Sequence, residues 1–211
     1  MDSLSHLRRN FTLQQLQRHQ LMTNPLLQFT QWLSDAVNQM ADEATMMTLS
    51  TVDEQSRPHA RVVLLKGVDD GMLQFFTNYD SDKGRQIAAN PYVAATFYWG
   101  ALERQVRIEG VAHRCNEAVN EAYFSSRPIE SRVAACASPQ SRPVNDDEVQ
   151  GRYRALMDCL LPSDIARPSY WGGYNIVPHR FEFWQGGIHR LHDRFVYTLN
   201  EGQWVIDRLA P

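Results

Sequence analysis

The sequence predicts a mainly β protein with flanking helices (α+β), in which an antiparallel meander closes into a small barrel. Two features predict it. From Thr45 onward, apolar and polar residues alternate in short runs, the two-residue period of strands with one buried face. Tight-turn residues separate those runs at Glu54–Pro58, Asp69–Gly71 and Glu201–Gly202. Short strands joined in this way form meanders and small barrels.

The 211 residues are enough for one sizeable core. Residues 23–211 read as a single domain, and residues 1–22, polar and Gln-rich, as a flexible arm ahead of it. A net charge of −3 provides no global field for nucleic acid or an anionic membrane, so any anion site must be local. Cys115, Cys136 and Cys159 are odd in number and form no CxxC pair, against a disulfide framework or a structural zinc. The first ten residues lack the apolar stretch of a signal peptide, and no run approaches membrane-spanning length. A cytoplasmic, soluble protein is expected, with neither nucleic acid nor membrane as partner.

Thr23-Asn24-Pro25 supplies a capping side chain and then proline at the first helical position. Leu26, Phe29, Leu33, Val37 and Met40 recur at helical spacing, with Trp32 and Ala36 beside them, predicting an amphipathic helix on the core. Strands are expected over 45–53, 59–66 and 72–77. Ser81 caps a short helix, 82–90, ended by Pro91. Strands 92–99 and 102–112 follow, the second with Glu103, Gln105, Arg107 and Glu109 on a polar face and Arg104, Val106 and Ile108 opposite. Asn116 caps a helix to about 126, Pro128 begins another, and Asp146-Asp147 a third with Val149, Tyr153, Leu156, Met157 and Leu160 on its apolar face. Residues 171–184 form a long strand. Gly186-Gly187 turns it into a hairpin with 188–195, and 204–208 is the last strand.

Local anion seats are scattered through this frame. In the final hairpin Arg190, His192 and Arg194 share one strand face, opposite Leu191, Asp193 and Phe195. That face reads either as solvated or as two guanidiniums flanking a titratable imidazole. Arg61 and Lys66, five apart, face opposite sides of a regular strand. A shared ligand would need a bulge, a strand end or a second subunit. Ser81 and Lys83 at a helix N-terminus read either as a phosphate seat, which Asp82 beside them opposes, or as a capped surface helix with Asp82 favourable at its start. Tyr123 and Arg127, four apart, with Ser131 beyond, form another donor set or an ordinary helical surface. His189 and His192 point to opposite faces of the expected strand, against shared metal ligation, and no metal site is expected. No GxGxxG, Walker, HExxH or GxSxG motif is present.

Several segments in order carry a resemblance: 61–66 (Arg-Val-Val-Leu-Leu-Lys), 76–78 (Phe-Thr-Asn), 102–106 (Leu-Glu-Arg-Gln-Val) and Tyr123-Phe124 with Arg127-Pro128. Gln140-Ser141, 183–186 (Phe-Trp-Gln-Gly), 190–194 (Arg-Leu-His-Asp-Arg) and 207–211 (Asp-Arg-Leu-Ala-Pro) complete it. Over nearly its whole length the chain resembles the pyridoxamine 5′-phosphate oxidase family. The resemblance implies an FMN-binding split barrel working as a homodimer, with FMN between subunits. It implies oxidation of pyridoxine 5′-phosphate and pyridoxamine 5′-phosphate to pyridoxal 5′-phosphate by O2, with release of H2O2 and, from the amine, NH3.

Position by position, it implies FMN contacts from Arg61, Val62, Val63, Leu64, Leu65, Lys66, Phe76, Thr77, Ser81, Lys83, Gln105, Gln140, Ser141, Trp184 and Arg194. The substrate site would comprise Lys66, Tyr123, Arg127, Ser131, Arg190, Leu191 and His192, with the Arg8 arm as a lid. Arg190 and His192 would be the catalytic pair. Three residues depart from the family pattern: Asp82 in place of a common Arg, Phe11 in place of a Tyr, and Cys136 in place of a Trp. Two rival readings are a related flavin oxidase of a phenazine-type substrate and a non-catalytic FMN- or pyridoxal-phosphate-binding protein.

Overall fold

A computed structural model describes residues 4–6, 10–159 and 165–211. Its strands are β1 (Met46–Val52), β2 (Pro58–Leu64), β3 (Gly67–Asp69), β4 (Met72–Asn78), β5 (Tyr92–Trp99), β6 (Arg104–Arg114), β7 (Trp171–Gln185), β8 (Asp193–Asn200) and β9 (Gln203–Leu209). The helices are α1 (Pro25–Met40), α2 (Asp82–Ala89), α3 (Glu117–Ser126), α4 (Ile129–Ala137) and α5 (Glu148–Cys159). Every strand pair is antiparallel, in the order β2-β1-β5-β6-β7-β4-β3, with β8 and β9 branching from β7. The α+β class and the antiparallel sheet are as the periodicity predicts.

β7 organises the sheet because it is long enough to serve two neighbourhoods. Its first half pairs with β4 (Trp171–Ile176) and its second half with β8 (Arg180–Gln185), while β6 runs beside both. A bulge at Glu109/Gly110 separates the halves, where an added Cβ on Gly110 would meet the Val177 carbonyl at 2.5 Å. The path then curls on itself: Leu65 N–H donates to the Thr45 carbonyl and Lys66 N–H to that of Gln74, tying the exit of β2 to β4.

Inward residues of β5 and β6, among them Phe97, Trp99, Val106 and Ile108, are buried with Phe181 and Phe183 of β7. Phe29 of α1 packs on Phe97 and Phe181, and Trp32 meets Phe183 edge-on at 5.2 Å. Phe29 is wholly buried, so Phe29→Ala would cost about 3–5 kcal/mol. The buried stripe of α1 is Pro25, Gln28, Phe29, Trp32 and Ala36, rotated from the expected one, and Val37 is exposed. The rotation follows Trp32, whose indole lies against Phe183 and under the Arg104 guanidinium. From Phe11 onward the arm lies along this body, with Leu16 buried and the Tyr197 hydroxyl donating to the Met22 carbonyl.

A second cluster, Phe124, Val133, Ile165 and Trp171 with Tyr153, Leu156 and Met157 against it, packs α3, α4 and α5 at the start of β7. The expected Leu160 lies outside the described residues. Among those described, no helix is long and apolar enough to cross a membrane.

The expected two-residue Gly-Gly hairpin is corrected. β7 and β8 are joined by residues 186–192, a loop holding a 3-10 turn (Ile188–Arg190) in which His189 (φ 55°) and Arg190 (φ 64°) are left-handed. The glycines serve close approach. A Cβ on Gly186 would strike the Phe11 ring at 2.6 Å, and one on Gly187 the Leu191 carbonyl at 2.3 Å. Arg190 and His192 therefore do not share a strand face with Arg194, which alone of the three lies in β8.

Candidate functional site

The expected residues fall into two groups at opposite ends of β7. At its start lies a cleft of about 520 Å³ lined by Arg61, Val62, Val63, Leu64, Lys66, Phe76, Thr77, Asn78, Lys83, Tyr123, Arg127, Gln140 and Trp171. The Arg61/Lys66 parity problem is resolved by a strand end: β2 stops at Leu64, freeing Lys66 from the alternation. Leu65 is the exception within 61–66, because its side chain is buried in the core.

Four cations line this cleft and no carboxylate does, among the described residues. Lys83 is held low by burial and then by neighbouring Arg61, and burial also lowers Arg127 and Arg61. Lys83 Nζ reaches Thr77 Oγ1 at 3.2 Å and Ser81 Oγ at 3.5 Å, and Arg127 Nη1 is buried with no hydrogen-bond partner among the described residues. Desolvated cations and an orphaned N–H fit an anionic ligand. The apolar wall is a stack of near-parallel rings, Phe76 on Tyr123 at 3.8 Å and on Trp171 at 5.7 Å, with the Arg127 guanidinium 4.6 Å above Trp171. Burial raises the Tyr123 hydroxyl, keeping it a neutral donor.

Ser81 is fully buried as the cap of α2. Its hydroxyl donates to the Asn78 carbonyl and accepts from Gly84 N–H, so it supports Lys83 from below without lining the cleft. Asp82 is exposed and ion-paired to Arg85, outside the cleft lining. Gln140 reaches the cleft, but Ser141 (φ 66°) and Ser131 do not line it. Gln140 also borders a smaller hollow of about 230 Å³ beside Cys136 and Tyr170.

At the far end of β7, Gln105, Trp184 and Arg194 stand side by side across β6, β7 and β8. His192 packs 4.7 Å from Trp184, and Phe11 closes on both rings, at 5.4 Å from Trp184 and 5.5 Å from His192. Gly187 N–H donates to His192 Nδ1, so the neutral ring carries its proton on Nε2. Arg194 is bound to buried Glu182 at 2.8 Å, a carboxylate that Arg107 and Arg180 also approach. Arg190 is exposed, with no hydrogen-bond or ion-pair partner among the described residues. Leu191, 69% exposed, borders a separate hollow of about 900 Å³ beside Arg18 and Arg208, which is larger than the cleft but shares none of its desolvated donors. Arg8 lies outside the described residues.

Trp171 and Glu182 were not anticipated. Trp171 opens β7 and reads only as core, and the clue to Glu182 is a lone carboxylate among Phe181, Phe183 and Trp184. Trp171 and Trp184 are thirteen residues apart on one strand. At about 3.3 Å per residue that is roughly 40 Å of contour.

Fold and cleft together define a split-barrel protein with a cationic cleft walled by stacked aromatic rings. Residues 33–152 match the family described as pyridoxamine 5′-phosphate oxidase, and residues 171–211 match the pyridoxine 5′-phosphate oxidase C-terminal dimerisation region. A pyridoxine/pyridoxamine 5′-phosphate oxidase of Pseudomonas putida (strain GB-1) is 47% identical over 212 residues, covering 99% of each chain. One from Gloeothece citriformis is 45% identical over 211 residues, again 99% of each. Among solved structures, PhzG from Burkholderia lata, in complex with tetrahydrophenazine-1-carboxylic acid, superposes with a TM-score of 0.84 at 26% identity, over 92% of this chain and 95% of that one. A pyridoxamine 5′-phosphate oxidase-related, FMN binding protein from Nostoc punctiforme shares the fold, with a TM-score of 0.74 at 17% identity over 90% of this chain and 100% of that one. The chain belongs to the pyridoxamine 5′-phosphate oxidase family. The phenazine-linked protein is a more distant relative.

Proposed function

We propose that this protein is an FMN-dependent oxidase of vitamin B6 metabolism. It converts pyridoxine 5′-phosphate and pyridoxamine 5′-phosphate to pyridoxal 5′-phosphate, with O2 as acceptor and H2O2, plus NH3 from the amine, as co-products. The observation that carries the reading is the cleft of Arg61, Lys66, Lys83 and Arg127, lined by no carboxylate among the described residues, against stacked aromatic rings in a chain of this family. FMN, when bound, supplies the two-electron chemistry that no side chain here offers.

Arg61 and Lys83, with Thr77 beside them, would hold the flavin phosphate, and residues 62–64 and Phe76 would flank the rest of the cofactor. Lys66, Tyr123 and Arg127 would take the substrate phosphate, with Ser131 nearby. Gln105, Gln140, Ser141, Trp184 and Arg194 would complete the cofactor site, and Arg190, Leu191 and His192 the substrate site. Because the two groups sit at opposite ends of β7, the reading requires a homodimer in which each site draws one group from each subunit. Arg190, with its planar fork of donors, would orient the substrate. His192, with Nε2–H as its free donor, would hold the oxygen substituent on the pyridine ring and assist proton movement there. The 1–22 arm would act as a lid over the 23–211 body, with Arg8 reaching the substrate and Phe11 excluding water above His192. Three unpaired cysteines accord with a cytoplasmic setting.

The test is to purify the protein, identify its flavin, and follow H2O2 with pyridoxine 5′-phosphate and with unphosphorylated pyridoxine. Peroxide from the phosphorylated compound alone is expected. A flavin complex that makes no peroxide would replace the oxidase with a binding protein.

A further inference from the structure

Among the described cations of the cleft, Arg61 is the one whose guanidinium is gripped from behind. Nη1 donates to the Leu49 carbonyl at 3.1 Å and to Thr51 Oγ1 at 2.6 Å, and Nη2 donates to Gln86 Oε1 at 3.0 Å. The Thr51 hydroxyl donates in turn to the same Gln86 oxygen at 2.6 Å. The result is a closed triangle between β1, β2 and α2. Thr51 and Gln86 are both buried, and neither lines the cleft.

A guanidinium has five N–H groups, and three of these are used. The two left over belong to Nε and Nη2, which lie side by side on one edge of the fork. That edge is the one that binds phosphate through two parallel hydrogen bonds. A free arginine on a strand would sample many rotamers and lose that entropy on binding. Here the loss is already incurred in the folded protein. Lys83 lines the same cleft, and its charge is disfavoured first by burial and then by repulsion from this guanidinium.

We propose that Gln86 and Thr51 are positioning residues that lock Arg61 with its Nε/Nη2 edge turned to the cleft, and so set the preference for a phosphorylated over an unphosphorylated flavin. The inference rests on the reading that this cleft holds the FMN phosphate. It predicts that the carboxamide oxygen of Gln86, and not merely its bulk, matters for a ligand it never touches.

The test is fluorescence titration of the flavin-stripped full-length protein with FMN and with riboflavin, which lacks the phosphate. Wild type should prefer FMN strongly. Gln86→Leu should weaken FMN by about tenfold and leave riboflavin unchanged, since it releases Arg61 without removing it. Gln86→Glu should weaken FMN further, because a carboxylate there neutralises the guanidinium, again without effect on riboflavin. Thr51→Ser should retain the wild-type preference and Thr51→Val should lose part of it. Equal weakening of both flavins in Gln86→Leu and Thr51→Val would reduce the triangle to packing and overturn the proposal, as would an unchanged FMN preference in both. A wild-type protein that binds both flavins equally would instead remove the phosphate reading of the cleft itself.

Discussion

The guanidinium of Arg127 lies 4.6 Å above the indole of Trp171, with Nη1 buried and without a hydrogen-bond partner among the described residues. The residue lines the cleft with an indole against its guanidinium and one hydrogen bond unmade. Burial accordingly lowers the Arg127 pKa. The arrangement assigns Arg127 a geometry that α3 alone does not provide, since the residue sits at the end of that helix, where the chain turns toward Pro128.

Arg127→Ala should raise KM for the phosphorylated substrate by about 10- to 100-fold, the loss of a hydrogen-bonded charge of about 1.5–3 kcal/mol. FMN content should stay near wild type. Trp171→Leu keeps the cation but removes its platform, and should cost about 0.5–2 kcal/mol of the same affinity. Steady-state kinetics with flavin absorbance on the same samples separates the two effects. A parallel fall in FMN content would reassign Arg127 to the cofactor.

The separation of the two groups along β7 makes complementation possible. Arg127→Ala and Arg190→Ala alter opposite ends of that strand. In a mixed dimer carrying one of each, one composite site holds both lesions and the other holds neither. Co-expressed with different tags and purified as the mixed species, such dimers should recover about half the wild-type activity per dimer, although each parent is nearly inactive. No recovery would mean that each site is built within one chain.

The arm is fastened by carboxylates. Glu103 Oε2 accepts from the backbone N–H groups of Thr12 and Leu13 at 2.8 and 3.0 Å, and Asp193 Oδ2 accepts from that of Leu16 at 3.0 Å. Glu103→Ala should raise the hydrogen-exchange rates of the Thr12 and Leu13 amides by roughly 10-fold or more, each charge-assisted bond being worth about 1.5–3 kcal/mol. Global Tm should move far less, because Leu16 still anchors the arm in the core. Unchanged exchange at both amides would show that Phe11 and Leu16 hold the arm unaided.

Lys83 is expected to set the alkaline limit of flavin binding. Its pKa lies below the ordinary lysine value, first through burial and then through Arg61. The sign follows: an anion favours the protonated amine, so affinity is full below the pKa of the flavin-free protein and falls as pH rises through it. Lys83→Arg should keep the charge at all accessible pH and remove the alkaline fall in FMN affinity. Titrations of FMN from neutral to alkaline pH would reveal it, and a fall of the same size in the arginine variant would place the titration elsewhere.

Local features of the chain were legible because their causes are local. The two-residue period of 46–52, 92–99 and 104–114, the Ser81 and Asn116 caps and proline at the start of α1 all act within a few residues. The 186–192 loop was misread because its glycines answer to distant partners. Gly186 makes room for a ring from the arm, and no count of residues between two strands reports that. Glu182 was missed for the same reason, since the arginines that make it tolerable come from β6 and β8.

By itself the sequence determined that this is an antiparallel α+β chain with cations at particular strand and helix ends, and its order of segments was enough to identify the family. Only the tertiary structure decided which of those cations face one another. Four meet in one cleft, Leu65 turns into the core, and Trp184, Arg190 and His192 are carried to the other end of β7. The physical reason is range: periodicity and capping are properties of neighbours in the chain, whereas desolvation, ring stacking and the convergence of charge depend on where the sheet curls.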